Sequence, residues 1–147
     1  MSTNFEDKGK GAKVPTDYKL ILCHFVFDVK HDSRHKARYI APGGYLTDTP
    51  LDSIYSPGVV SLRSLRLMIF LAELNSQQLY AVDIGNAYLE AKTREKVCVY
   101  GGPELRDLNL EGHLLVIVRA LYGLKTSGAH WHDRFADTLR EEGFANA

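Results

Sequence analysis

The alternation of apolar and polar positions divides the chain into a short series of elements. Residues 1–17 are polar, with Lys8, Lys10 and Lys13 among glycines and then Pro15, the pattern of a flexible leader. Leu20 to Val29 is apolar and β-prone and predicts a strand. Lys30-His31-Asp32-Ser33-Arg34-His35 reads as a polar hairpin tip. A second strand follows at Lys36 to Leu46, antiparallel to the first, and Pro42 and Gly43-Gly44 make it an edge or bulged strand. Thr47 to Pro57 reads as loop.

The clearest helix is predicted over 61–75, with Ser61 as N-cap and Asn75 closing it. Leu62, Leu65, Met68, Ile69 and Ala72 recur at helical spacing, and Leu67, Phe70, Leu71 and Leu74 widen the apolar surface. So apolar a helix is expected in the core, beneath a sheet. Leu79 to Val82 predicts a short buried strand that Asp83 ends. Glu95 to Tyr100 alternates, with Val97 and Val99 on one face and Cys98 and Tyr100 on the other. Gly101-Gly102-Pro103 ends it, Leu105 to Gly112 connects, and Leu114 to Val118 is another strand. The last helix begins near Thr126 or Ser127, repeats Trp131, Phe135 and Leu139 on one side, and stops at a Gly143–Phe144 cap. The expected class is α+β, an antiparallel sheet packed with helices.

Composition narrows the reading only a little. A chain of 147 residues suits one domain, and 45% hydrophobic with 24% charged residues is ordinary for a globular fold. Basic and acidic residues balance at 18 each, so whole-chain charge argues for neither a nucleic-acid nor a membrane partner. The one basic cluster is the hairpin tip, with Lys30, Arg34, Lys36 and Arg38; Lys36 and Arg38 share strand parity and so one face. Such a pair suits a triphosphate or a nucleic-acid backbone, and equally a solvated hairpin end. No apolar run reaches the ~18 residues of a membrane span, and the N-terminus lacks a signal-peptide pattern. Cys23 and Cys98 stand far apart, so a reduced intracellular protein of cytoplasm or nucleus, not a secreted one, is the simpler reading, with a single disulfide as the alternative.

The chemistry centres on Tyr80 to Leu89. A carboxylate at a strand end, Asp83, is followed by Gly85-Asn86, which tolerate positive φ and turn backbone N–H groups toward an anion, and then by the flat ring of Tyr88. That combination suits a metal-bound phosphate ester. The same residues also make a strand ending in an Asx turn with a core tyrosine, the commoner arrangement. His24, in an apolar strand, is expected in the core, as are the two thiols; His130 and His132 flank Trp131 and point apart.

In order, Lys36-Ala37-Arg38, Ser56-Pro57, Asp83 to Leu89, and Ala120-Leu121-Tyr122-Gly123-Leu124-Lys125 before a Trp-bearing helix ending Glu-Gly-Phe resemble the reverse transcriptase of copia-type LTR retrotransposons. The resemblance covers roughly residues 18–144. It implies the fingers and partial palm of a right-hand polymerase, an RNA-directed DNA polymerase acting on an RNA or DNA template-primer and dNTP with Mg²⁺ or Mn²⁺. By that resemblance Asp83 is the first catalytic carboxylate and holds the metal together with the carbonyl of Ile84. Gly85, Asn86 and Ala87 lie under the triphosphate, and Tyr88 excludes a ribose 2′-hydroxyl. Lys36 or Arg38 neutralises the triphosphate, Tyr122 and Gly123 line the nucleotide pocket, and Lys125 follows them. The family's other two carboxylates form an Asp-Asp pair on a hairpin after the final helix, and this sequence contains no Asp-Asp. The expected domain is therefore 18–147, truncated before that hairpin, binding metal weakly, inactive alone and completed by a missing remainder. The alternatives are a non-catalytic nucleic-acid or partner-binding remnant and an unrelated metal-dependent phosphohydrolase using Asp83. Thr126-Ser127-Gly128-Ala129-His130, Asp48 to Tyr55 and Gly101-Gly102-Pro103 depart from the family's usual residues, as expected of a diverged or decaying element.

Overall fold

The computed structural model describes residues 4–41 and 60–144. The chain runs β1 (Phe5–Lys10), β2 (Lys19–Leu20), β3 (His24–Val29), β4 (His35–Ile40), α1 (Leu62–Leu74), α2 (Ala87–Glu90), β5 (Val97–Tyr100), a 3-10 turn at Pro103–Leu108, β6 (His113–Ile117) and α3 (Ser127–Glu141). The class is α+β, as expected. The loop expected at 47–57, the Ser56-Pro57 pair and the end of the second strand beyond Ala41 lie outside the described residues.

Alternating apolar residues build the centre. One sheet has the order β1-β6-β5-β2, with β1/β6 and β5/β6 antiparallel and β2/β5 parallel. On one face Val97 and Ile117 pack with Ile21, Ala41, Leu121 and Leu124, and beside them Val99 and Leu115 pack with Leu105. On the other, Cys98, Leu114 and Val116 meet Ala12, Val14 and Tyr18. The Val97/Val99 and Cys98 sides are those that strand parity assigns.

β3 and β4 form the expected antiparallel hairpin, from His24 opposite Ile40 to Val29 opposite His35. Its inner face reaches the first sheet through aromatics. Tyr39 lies 4.9 Å from Phe25 and 6.0 Å from Phe5, ring to ring, the latter edge-on.

Five expectations change. Residues 5–10 are not a flexible leader: they are β1, with Phe5 packed on the core beside Ile117. The run from Leu20 is not one strand, because β2 pairs with β5 at Lys19–Leu20 and β3 starts only at His24. Leu79 to Val82 is not a strand and is open to solvent, with Tyr80 and Val82 each 84% exposed. An apolar run becomes a strand only when a ladder partner satisfies its backbone, and none of the described strands supplies one. α1 forms as predicted, with Ser61 Oγ accepting from the Ser64 N–H, but it does not lie beneath a sheet; only Ala72 on it is buried. His24 is exposed rather than in the core.

Both thiols are free. Burial, and secondarily Glu104, push the Cys23 thiol up to about 12, and burial raises Cys98 as well. Neither should be alkylated by iodoacetamide at pH 8 in the folded protein, and both should react once urea unfolds it, because the thiolate is the nucleophile. Mass spectrometry of the two samples checks this.

Candidate functional site

Three segments distant in sequence meet at the end of β4. The first is β4 itself. The Ala41 N–H donates to the Tyr122 carbonyl at 2.9 Å, and Ile40 bridges to Tyr122 in parallel. The second is the turn at Leu121–Ser127. Gly123 has φ +91°, and a methyl group on it would overlap the Ala41 carbonyl and stand 2.9 Å from Ile40 Cγ2. Only glycine permits both the conformation and the approach. Buried Ser127 fixes the turn from behind, its hydroxyl donating to the Leu121 carbonyl at 2.6 Å.

The third segment is Asp83–Ala91. Asn86 adopts the left-handed conformation (φ 54°) that the Gly85-Asn86 turn needs, and α2 starts there. Leu89 packs on the core beside Leu121. The Ala120 N–H donates to the Ala91 carbonyl at 2.9 Å, and Arg119 Nη1 donates to the Glu90 carbonyl at 2.7 Å. These bonds bring the Tyr88 ring to 5.0 Å from that of Tyr122, edge-on at 60°.

Parity then orients the cations. Ile40 meets Gly123, and Lys36 and Arg38 share its side of β4, whereas Tyr39 faces the core. Arg38 is two residues from the junction, roughly 7 Å along the strand, and Lys36 roughly 14 Å. Asp28, opposite Lys36, stands 3.9 Å from Arg38 Nη1, a partly exposed and therefore weak pair.

Tyr88, Tyr122 and Gly123 thus come together with the end of the Lys36–Arg38 strand. Asp83 is exposed and has no hydrogen-bond or ion-pair partner among the described residues. It precedes the turn to α2 rather than ending a paired strand. Lys125 is exposed just after the turn. Among the described residues no group of three or more His, Cys, Asp or Glu side chains is placed to hold a metal ion.

Sequence patterns gave no sign of Glu95. Its Oε1 accepts from the Thr126 N–H at 3.3 Å and from the Thr126 hydroxyl, so it anchors α3 from 31 residues upstream. Its Oε2 and His130 Nδ1 are buried without a hydrogen-bond partner among the described residues. Burial holds the His130 imidazole below its ordinary value of 6.5; Arg94 adds to this, while Glu95 and Asp133 oppose it. A histidine lowered by folding costs stability when it must charge. The protein should therefore be most stable above pH 6.5 and lose stability as pH falls below it toward the folded-state value. His130→Gln should flatten that slope in urea titrations between pH 7.5 and about 5; an unchanged slope contradicts this origin.

Comparison with known proteins identifies the family of the chain. The sequence model of the family described as "Reverse transcriptase (RNA-dependent DNA polymerase)" matches residues 10–147. The chain is 31% identical over 142 residues to the Transposon Ty1-NL2 Gag-Pol polyprotein of Saccharomyces cerevisiae, covering 97% of this chain and 8% of that protein. To the Ty1-DR5 and Ty1-DR1 Gag-Pol polyproteins of the same organism it is 32% identical over 139 residues, covering 95% of this chain and 8% of each. The chain thus spans about 8% of the length of these curated relatives. No solved structure matches it. No described helix is long and apolar enough to cross a membrane. With matched segments that include the β4 hairpin, Asp83–Leu89 and the Tyr122–Gly123 turn, the chain belongs to the reverse transcriptase family, in its copia-type LTR retrotransposon branch.

Proposed function

We propose that the chain is the nucleotide-side part of a retrotransposon reverse transcriptase, its fingers hairpin and part of its palm. The observation that supports this is the junction of β4, Gly123 and the Tyr88–Tyr122 ring pair, to which the reading assigns nucleotide contact. In this role Lys36 and Arg38 neutralise phosphate charge, that of an incoming dNTP's triphosphate and that of the template-primer backbone beside it. The backbone at Gly85, Asn86 and Ala87 lies under that triphosphate. Tyr88, braced by Tyr122, leaves no room for a ribose 2′-hydroxyl, and Tyr122 and Gly123 set the template base.

A divalent metal, Mg²⁺ or Mn²⁺, supplies charge neutralisation and leaving-group activation in this family. Asp83 Oδ atoms and the Ile84 carbonyl are suitable hard donors. They do not suffice for the family's two-ion centre, which takes several carboxylates, and the sequence has no Asp-Asp pair to add. In isolation the chain therefore holds template-primer without extending it.

The test is fluorescence anisotropy with a labelled template-primer over a salt series. Lys36→Ala/Arg38→Ala should weaken binding and reduce the log–log salt slope by about 1–2, one released counterion per lost phosphate contact. An unaltered slope would remove this face of the hairpin from the nucleic-acid path.

A further inference from the structure

We infer that a cleft at the end of β6 binds an unpaired stretch of nucleic acid, with Lys92, Arg94 and Arg119 meeting its phosphates and Tyr18 stacking on a base. This cleft lies on the other side of the sheet from the β4–Gly123 junction. Glu6 and Cys98 both stand opposite Val116, so the Glu6 side of β1 is the Cys98 side, on which Tyr18 and Val118 pack. Ala41 and Leu121, beside the junction, pack on the opposite side with Val97 and Ile117. A strand held here is a second contact, separate from Lys36 and Arg38.

Backbone bonds build the walls. The Thr93 N–H donates to the Val118 carbonyl at 3.2 Å, the Val118 N–H to the Asn4 carbonyl at 3.0 Å, and the Lys19 N–H to the Lys96 carbonyl at 2.9 Å. Lys92 and Arg119 form an antiparallel bridge. The cleft between them has a volume of about 630 Å³, in the range of a small-molecule site, with room for a base and its phosphate. Lys92, Arg94, Lys96 and Arg119 line it, against two carboxylates, Glu6 and Glu95. Glu6 is already paired with Lys8, and Lys96 with Asp17. That leaves Lys92, Arg94 and Arg119 against the single carboxylate of Glu95, which also accepts from Thr126. The Lys92 and Arg94 side chains are exposed and have no hydrogen-bond or ion-pair partner among the described residues. Arg119 is half-buried, and its Nη1 donates to the Glu90 carbonyl at 2.7 Å, which orients the guanidinium without neutralising it.

Tyr18 decides which anion fits. Its half-buried ring lines the same cleft. A cationic groove beside an aromatic ring is the arrangement that holds unpaired strands, phosphates on the cations and a base on the ring. A free phosphate would leave the ring unused, and a duplex has no unpaired base to offer it.

The test uses the full chain and fluorescein-labelled oligo(dT), an unpaired strand, in fluorescence anisotropy over a salt series. Lys92→Ala/Arg94→Ala should weaken binding about tenfold and lower the log–log salt slope by about 1.4, roughly 0.7 for each lost single-strand phosphate contact. Both positions are exposed, and far-UV circular dichroism checks the fold. The same loss should appear when the pair is replaced in a chain already carrying Lys36→Ala/Arg38→Ala, which separates this cleft from the hairpin. Irradiation of a 5-iodouracil-substituted strand should crosslink it to Tyr18, located by peptide mass spectrometry, in the parent and the hairpin variant but not in Lys92→Ala/Arg94→Ala. Unchanged affinity and slope, or crosslinks that miss Tyr18, overturn the proposal. Competition by polyglutamate or tripolyphosphate as effective, charge for charge, as that by unlabelled oligo(dT) overturns it too, because the cleft would then be a site for anions in general.

Discussion

Gly123→Ala should cost roughly 3 kcal/mol of stability, from left-handed strain and from overlap with a backbone that cannot yield freely. Gly123 has φ +91°, and the added methyl would enter the space of the Ala41 carbonyl. Ala41 is fully buried, and its N–H is committed to the Tyr122 carbonyl, so it cannot retreat without breaking that bond. The expected response is separation of the β4 end from the turn. Against a typical total of about 5–15 kcal/mol, the urea midpoint should fall markedly. Exchange protection of the Ala41 amide should fall first, because that bond is at the point of overlap. Retained Ala41 protection with a midpoint near the parent's would mean that the hairpin does not depend on this junction. If the family's nucleotide pocket depends on Gly123, part of that dependence is the placing of Lys36 and Arg38.

Tyr39 should carry the second large effect. It joins the hairpin to the sheet through Phe5 and Phe25, and it borders both clusters on that face of the sheet. Tyr39→Ala should cost roughly 3–5 kcal/mol, the range for losing a packed aromatic. Tyr39→Phe should behave in the opposite sense. The Tyr39 hydroxyl is buried with no hydrogen-bond partner among the described residues, and burial, with Cys23 and Glu104 nearby, raises its pKa further. Removing that oxygen keeps the ring and relieves an unmet polar group, so the variant should match or exceed the parent by about 1 kcal/mol. Urea titrations of the three proteins read both signs. Equal losses in the two variants would show that the hydroxyl has an essential partner.

Elements whose cause is local were legible in the sequence. The β3–β4 hairpin, β5, β6 and the Ser61 cap of α1 follow from alternation or capping chemistry. The stop of α3 does too: Phe144 N–H bonds the Leu139 carbonyl and Gly143 N–H that of Arg140, with Gly143 at φ 88°. The Gly85-Asn86 turn was legible for the same reason, since Asn86 is left-handed.

What failed was decided at long range. β1 is Phe-Glu-Asp-Lys-Gly-Lys, with one apolar anchor, and it becomes a strand because β6 offers an open edge more than 100 residues later. Asp7 helps to hold it: the Gly9 N–H and then His113 draw its carboxyl below the usual carboxylate range. Leu79–Val82 is the reverse case, apolar enough for a strand but without a ladder partner among the described residues. α1 is apolar nearly all round, a pattern that names no particular face, and its burial depends on what lies beside it. For the site, motif order pointed to Tyr88, Tyr122 and Gly123 together. It could not reveal Glu95 at the start of α3, because no local pattern links residues 95 and 126.

The central claim is that this chain supplies the nucleotide-side face of a reverse transcriptase without the carboxylates for transfer. The direct measurement is one gel experiment on the purified full chain, with labelled template-primer, complementary dNTP and Mg²⁺ or Mn²⁺, beside Asp83→Asn and Lys36→Ala/Arg38→Ala. The account predicts a salt-sensitive shifted complex for the parent and for Asp83→Asn, a weaker one for the hairpin variant, and no primer extension in any lane. Template-dependent extension by the parent that disappears in Asp83→Asn would contradict it, by showing a complete metal centre within this chain.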